Sequence, residues 1–241
     1  MSFRQPSKSY PFGSSLKPNE FERRGFMMRS HSPTASSDRS SERRLVEFVD
    51  RVVVLHQALA SQGVSHAFGG ALALAYHAEP RGTVEIDLNV FLPLHRASET
   101  VESLRALGIA SSSQLIESAI PTAGIRCPWD DTHVDVFLSY DQEYFRSVEA
   151  RVERHAFEDS ARQLHDLPFL SAEDLCVFKV TFNRQKDWAD IEAMLAESPL
   201  DEAYVQKWLL HLRGDHEWPL IRRFLDLSAT VSALRDPIDN S

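Results

Sequence analysis

Residues 68–90 read FGGALALAYHAEPRGTVEIDLNV. An apolar strand end turns on Gly69-Gly70 into a short helix, and the segment closes on a strand that carries Glu85 and Asp87. Successive side chains of a strand point to opposite faces, so residues two apart share one. Glu85 and Asp87 therefore project together, while Ile86, Leu88 and Val90 point the other way into a core. Glycines lack a Cβ and let backbone N–H groups come close to an anion at the start of a helix. Two carboxylates on one rigid face beside such a turn suit a divalent metal and a phosphate.

Upstream, Leu45, Phe48, Val49, Val52, Val53, Leu55 and Leu59 recur at helical spacing from Ser40 until Gly63 stops the helix. A first strand is expected over 64–68, a short helix over 70–77 and the carboxylate strand over 83–91, with Pro93 ending it. A helix over 95–107 stops at Gly108, and 111–127 reads as short strands. Residues 131–139, DTHVDVFLS, alternate, with Thr132, Val134, Val136 and Leu138 on one face and His133, Asp135 and Phe137 on the other. A helix over 140–150 and a strand over 152–157 follow. Beyond Pro168, Ser171 is a plausible N-cap with acids in the first turn, and helices are expected over 172–183, 186–197, 201–212 and 216–233.

Residues 1–40 are rich in Ser, Pro, Arg and Lys and read as a disordered basic extension. The expected organisation is an α/β mixed sheet flanked by helices over 41–168, then a helical lobe over 169–241. A net charge of −9 argues against nucleic-acid binding over a broad surface, because phosphate contacts dominate such affinity. A local groove, or a small anion neutralised by metal, stays compatible with it. No apolar run is long enough for a membrane span, no secretory signal is visible, and Cys127 and Cys176 make no disulfide framework. The expectation is a cytoplasmic protein with no membrane partner.

Asp135 is the lone acid inside its apolar strand, and if that strand neighbours the one bearing Glu85 and Asp87 the three can meet at one sheet edge. Like charges so close repel and raise one another's pKa unless a cation lies between them. The bland alternative is three solvated acids on an open sheet face. A second cluster follows in Asp174, Lys179, Arg184, Lys186, Asp187 and Asp190. Lys179, within an apolar helix, can extend towards phosphates or snorkel to the surface. Asp187 and Asp190 share a helix face, where capping and ion pairing are the plainer roles. His133 shares the face of Asp135; its plainer role is that of a sheet-edge histidine.

Together, Phe68-Gly69-Gly70, Arg81-Gly82-Thr83-Val84-Glu85-Ile86-Asp87-Leu88, Val134-Asp135-Val136 and the Asp174…Lys179…Arg184…Asp187…Asp190 pair resemble the DNA polymerase β-like nucleotidyltransferase superfamily. More narrowly, over residues 44–197, they are similar to its AbiEii/MenT-like branch of toxins. The resemblance implies a nucleotidyltransferase fold and transfer of NMP from an NTP to a hydroxyl acceptor, with Mg²⁺, or Mn²⁺ in its place, as cofactor. It implies Gly69 and Gly70 at the NTP phosphates, with Arg81 and Thr83 leading into the metal strand. Glu85, Asp87 and Asp135 would be metal ligands, Lys179 a triphosphate contact and Asp187 the late acid of the branch. The 3′ end of a tRNA or another RNA would be the acceptor, and a cognate antitoxin the partner. Glu85 departs from the family, which usually has Asp there. A catalytically silent nucleotide-binding module with the same fold is the alternative.

Overall fold

The computed structural model describes residues 35–109, 124–139, 141–214 and 218–235. In chain order these form α1 (Ala35–Ser61), β1 (His66–Phe68), α2 (Gly70–Leu74), β2 (Glu85–Pro93), a 3₁₀ turn (Leu94–Arg96) and α3 (Ala97–Ala106). Then come β3 (Gly124–Trp129), β4 (Thr132–Ser139), α4 (Gln142–Ala150), β5 (Glu153–Glu158) and β6 (Leu164–Phe169). The described chain ends with α5 (Ala172–Phe182), α6 (Gln185–Glu197), α7 (Glu202–Arg213) and α8 (Trp218–Arg235). The expected α/β mixed sheet with a following helical part is therefore present.

Most boundaries fall within a few residues of expectation. α1 begins at Ala35 rather than Ser40, because the polar residues ahead of Leu45 hold a helical backbone without any apolar periodicity to announce it. Of the extension expected over 1–40, residues 35–40 are helical and the rest lie outside the described residues; of the short strands expected over 111–127, residues 124–127 fall in β3 and the rest lie outside them. β6 was not expected at all. Its sequence LHDLPF carries Pro168 and two polar residues, a composition that argues against an inner strand.

The six strands form one sheet in the order β3-β4-β2-β1-β6-β5. β2 runs parallel to β4 with Glu85 opposite His133 and Asp87 opposite Asp135. The strand alternation follows expectation: Thr132, Val134, Val136 and Leu138 are buried, and His133, Asp135 and Phe137 lie partly exposed on the other face. β3 returns antiparallel along β4 through a two-residue turn in which Asp130 takes a positive φ of 52°.

α5 lies over the face that bears the carboxylates, with Phe178 and Phe182 against Phe137 at ring separations of 6.3 and 5.6 Å. Ser171 caps it as expected: its Oγ accepts from the Asp174 N–H. Residues 174–181 of this helix are all buried, so it is apolar almost all round and sits inside the molecule. Its Phe178 also packs on Tyr144 and Phe145 of α4, and Tyr144 on Trp208 of α7. One hydrophobic cluster thus runs from α1 and the sheet into α8. Among the described residues no helix is long and apolar enough to cross a membrane.

Candidate active site

The turn between β1 and α2 is built against Asp87. The Gly69 N–H donates to the Asp87 carbonyl at 2.9 Å, which holds the turn beside β2. Gly70 adopts a φ of +53°, and a Cβ there would stand 1.7 Å from Asp87 Oδ2. A side chain at Gly69 would meet Asn89 Nδ2 at 2.8 Å. The paired glycines are therefore dictated by space: they let a backbone turn rest directly on an acidic side chain.

The three sequence-predicted carboxylates meet as the parallel register requires. Glu85 and Asp87 project from β2 and Asp135 from β4, all on the face beneath α5. Ligand atoms of Glu85, His133 and Asp135 lie within 4.8 Å of one another. His133 Nε2 is 3.2 Å from Glu85 Oε1 and otherwise lacks a hydrogen-bond partner among the described residues. Arg126, from β3, grips Asp135 with both arms at 2.8 and 2.7 Å, and its Nη2 is 3.6 Å from Glu85. The Asp87 carboxylate forms no ion pair among the described residues. Burial, then repulsion from Asp135 and Glu85, pushes its pKa up to about 6.

A second set of charges comes from α5, α6 and the segment before β2. Asp190 accepts both arms of Arg81 at 2.9 Å and also binds the ammonium of Lys179, which is only 4% exposed. Asp187, 1% exposed, occupies the N-terminal turn of α6. Its oxygens accept from the Arg184 N–H at 3.0 Å, Nε at 2.7 Å and Nη2 at 3.1 Å. It reaches the cleft as the acid that caps α6 and holds Arg184 there. Thr83 Oγ1 donates to the Glu85 carbonyl and accepts from the Glu85 N–H, both at 3.1 Å, fixing the entry to β2.

Most of these groups border one cleft of about 290 Å³, with His133 and Asp190 outside its lining. Gly70, Arg81, Thr83, Glu85, Asp87, Asp135, Lys179 and Asp187 line it, and Gly69 lies next to Gly70 behind them. Sequence reasoning missed Arg126, Asn89, Phe137 and Phe182 as cleft residues, and for Asp190 it offered ion pairing without the partners Arg81 and Lys179. Asn89 had a legible signal, as the third member of the Glu85-x-Asp87-x-Asn89 alternation. It is 2% exposed, and its Oδ1 has no hydrogen-bond partner among the described residues.

The donor set fits a divalent cation. Carboxylate oxygens of Glu85 and Asp135 lie within 4.8 Å of each other and of a His133 ring nitrogen, and Asp87, on the same strand face and without a counter-ion among the described residues, borders the same cleft with Arg81, Arg126, Lys179, Arg184 and Lys186. His133 adds an imidazole nitrogen beside Glu85, a donor that suits first-row transition metals.

No protein-family model matches the chain, and no curated protein matches it. Solved structures of similar fold include an antigenic nucleotidyltransferase-like protein from Paracoccidioides brasiliensis, at 18% identity and a TM-score of 0.45, covering 78% of this chain and 93% of that one. The antibiotic-resistance factor ANT(2'')-Ia in solution is 14% identical with a TM-score of 0.40, covering 77% of this chain and 95% of that one. In its crystal complex with adenylyl-2''-tobramycin it is 13% identical with a TM-score of 0.41, covering 77% and 97%. At those scores the likeness is a general one, and the chemistry of the cleft rests on its own residues.

Proposed function

We propose that the cleft carries out metal-dependent nucleotidyl transfer, moving a nucleoside monophosphate from an NTP to a hydroxyl acceptor with release of pyrophosphate. The chain would then be a member of the DNA polymerase β-like nucleotidyltransferase superfamily. One observation carries this reading: Glu85, Asp87 and Asp135 converge from adjacent parallel strands under the Gly70 turn, with the Asp87 carboxylate lacking a counter-ion.

Glu85, Asp87 and Asp135 would hold the divalent ion. Their oxygens suit Mg²⁺, and His133 beside them also admits Mn²⁺. Such an ion supplies polarisation of phosphoryl oxygens and stabilises the leaving pyrophosphate. The chain's own residues do the positioning. Gly69 and Gly70 leave backbone free of side chains at the carboxylates, and Arg184, Lys186 and Lys179 present positive charge on the opposite wall for a triphosphate. Arg81, held by Asp190, closes the rim between them. The similarity of the motifs to the AbiEii/MenT-like branch favours the 3′ end of a tRNA or another RNA as acceptor, and a toxin restrained by a cognate antitoxin as the role.

The test is label transfer and pyrophosphate release with each α-labelled NTP, Mg²⁺ and total RNA, beside Asp87→Ala. The expected outcome is a labelled acceptor, with activity falling about 100-fold or more in the variant. Absence of label and pyrophosphate with every NTP would sink the transfer reading. A second reading, nucleotide binding without transfer, is favoured by Glu85, whose side chain is one methylene longer than the usual aspartate. Glu85→Asp separates the two, since activity gained there identifies a degenerate transferase.

A further inference from the structure

We infer that Arg126 is a displaceable counter-cation of the metal site, which leaves Asp135 when a divalent ion binds and then contacts the phosphate oxygens of the nucleotide. This rests on the nucleotidyl-transfer reading of the cleft.

Arg126 stands directly across from Asp135 in the β3–β4 register and binds it bidentately at 2.8 and 2.7 Å, with Glu85 3.6 Å away. Its guanidinium thus holds two of the three acids that would ligate the ion, and leaves the third, Asp87, without an ion pair among the described residues. A guanidinium stays charged at every accessible pH, so this competition with a metal ion is permanent. A dication coordinated by Asp135 would occupy the carboxylate lone pairs and repel the cation beside it.

Apart from Lys186, the other cations of the cleft are committed elsewhere. Lys179 and Arg81 are bound to Asp190, and Arg184 to Asp187, none of which belongs to the carboxylate trio. Arg126 differs also in mobility. Its side chain is 60% exposed against 17% for Asp135, so the planar head can swing without repacking a core. The bidentate geometry it now gives to a carboxylate matches a phosphate equally well. Metal and nucleotide would consequently bind with positive coupling, because the nucleotide offers Arg126 a new anionic partner at the moment the metal displaces it.

The experiment measures Mn²⁺ binding by the paramagnetic resonance of free Mn²⁺, first without nucleotide, in the wild type, Arg126→Gln, Arg126→Lys and Asp135→Asn. Binding of the α,β-methylene analogues of ATP, GTP, CTP and UTP is then measured at saturating Mn²⁺. For Arg126→Gln, Mn²⁺ alone is expected to bind about fivefold tighter, the scale of losing one exposed competing ion pair, while the preferred analogue binds about tenfold more weakly. Arg126→Lys should fall between, keeping the charge without the fork. Opposite signs for metal and nucleotide are what a merely structural arginine would not give, and the thermal midpoint of each variant checks its fold. Unchanged or weaker Mn²⁺ binding in Arg126→Gln, with binding lost in Asp135→Asn, would overturn the counter-cation role and leave nucleotidyl transfer standing. Tighter metal with unchanged analogue affinity would overturn the phosphate contact. If neither Mn²⁺ nor any analogue binds the wild type, this inference and the proposed function fall together.

Discussion

Asp87 concentrates the conflict between stability and function. It is partly buried, faces two other acids and has no ion pair among the described residues, so its carboxylate resists ionisation until about pH 6. The unfolded chain releases the same proton near the ordinary value of 3.8. Between those values the native state binds more protons than the unfolded state, so this group makes the fold less stable as pH rises through the window. Asp87→Asn should therefore raise the thermal midpoint by about 2–4 °C at pH 8, lose that gain by pH 4, and abolish transfer. Differential scanning at the two pH values checks it. The acids themselves were legible, because a period of two placed Glu85, Asp87 and Asp135 on cleft-facing positions. Their partners were not. Asp190 binds Arg81 from 109 residues away, a distance over which no local pattern speaks. Arg126 sits in GIRCPW, where a glycine and a proline blur the alternation that would have aimed it at Asp135.

At the scale of elements, the β1–α2 turn shows why a pair of glycines can mean more than a tight bend. Ala at Gly70 would take a positive φ that an L residue resists by about 1–2 kcal/mol, and its Cβ would displace the Asp87 carboxylate. Gly70→Ala should thus lower stability by about that amount in urea unfolding and also remove activity. Loss of stability with full activity would show that the turn does not govern Asp87. α5 was read correctly from its serine cap and apolar run, and its position explains why Lys179 is buried and paired rather than snorkelling. β6 was missed for a physical reason. Its inner end, Leu167, Pro168 and Phe169, is buried, yet its ladder with β1 has a single pair, Phe68 with Phe169, and needs little from Pro168.

For the whole molecule, the core runs unbroken from the sheet through Phe178 to Trp208, so both parts of the chain stabilise the cleft between them. One contribution to its acid sensitivity comes from His66, buried beside that core. His66 is 6% exposed, donates its Nδ1–H to the Val64 carbonyl at 2.8 Å and meets His56 Nδ1 through its Nε2 at 3.0 Å, and burial holds its pKa down to about 4. Unfolded, it titrates at 6.5, so as pH falls from 6.5 towards 4 the unfolded state gains a proton that the native state refuses. Stability should drop by about 2–3 kcal/mol over that span from this group, and His66→Phe should flatten the loss in urea midpoints taken at pH 7 and pH 4.5.

The sharing of Asp190 between Arg81 and the buried Lys179 has a bearing on how the protein behaves as ionic strength changes. One carboxylate clasps the rim segment to the central helix from a position that mobile ions barely reach. The Lys179 half of that clasp is shielded from the surrounding electrolyte, whereas the exposed heads of Arg81 and Arg126 are not. Added salt would loosen Arg126 from the carboxylates first and leave the buried Lys179–Asp190 bond in place.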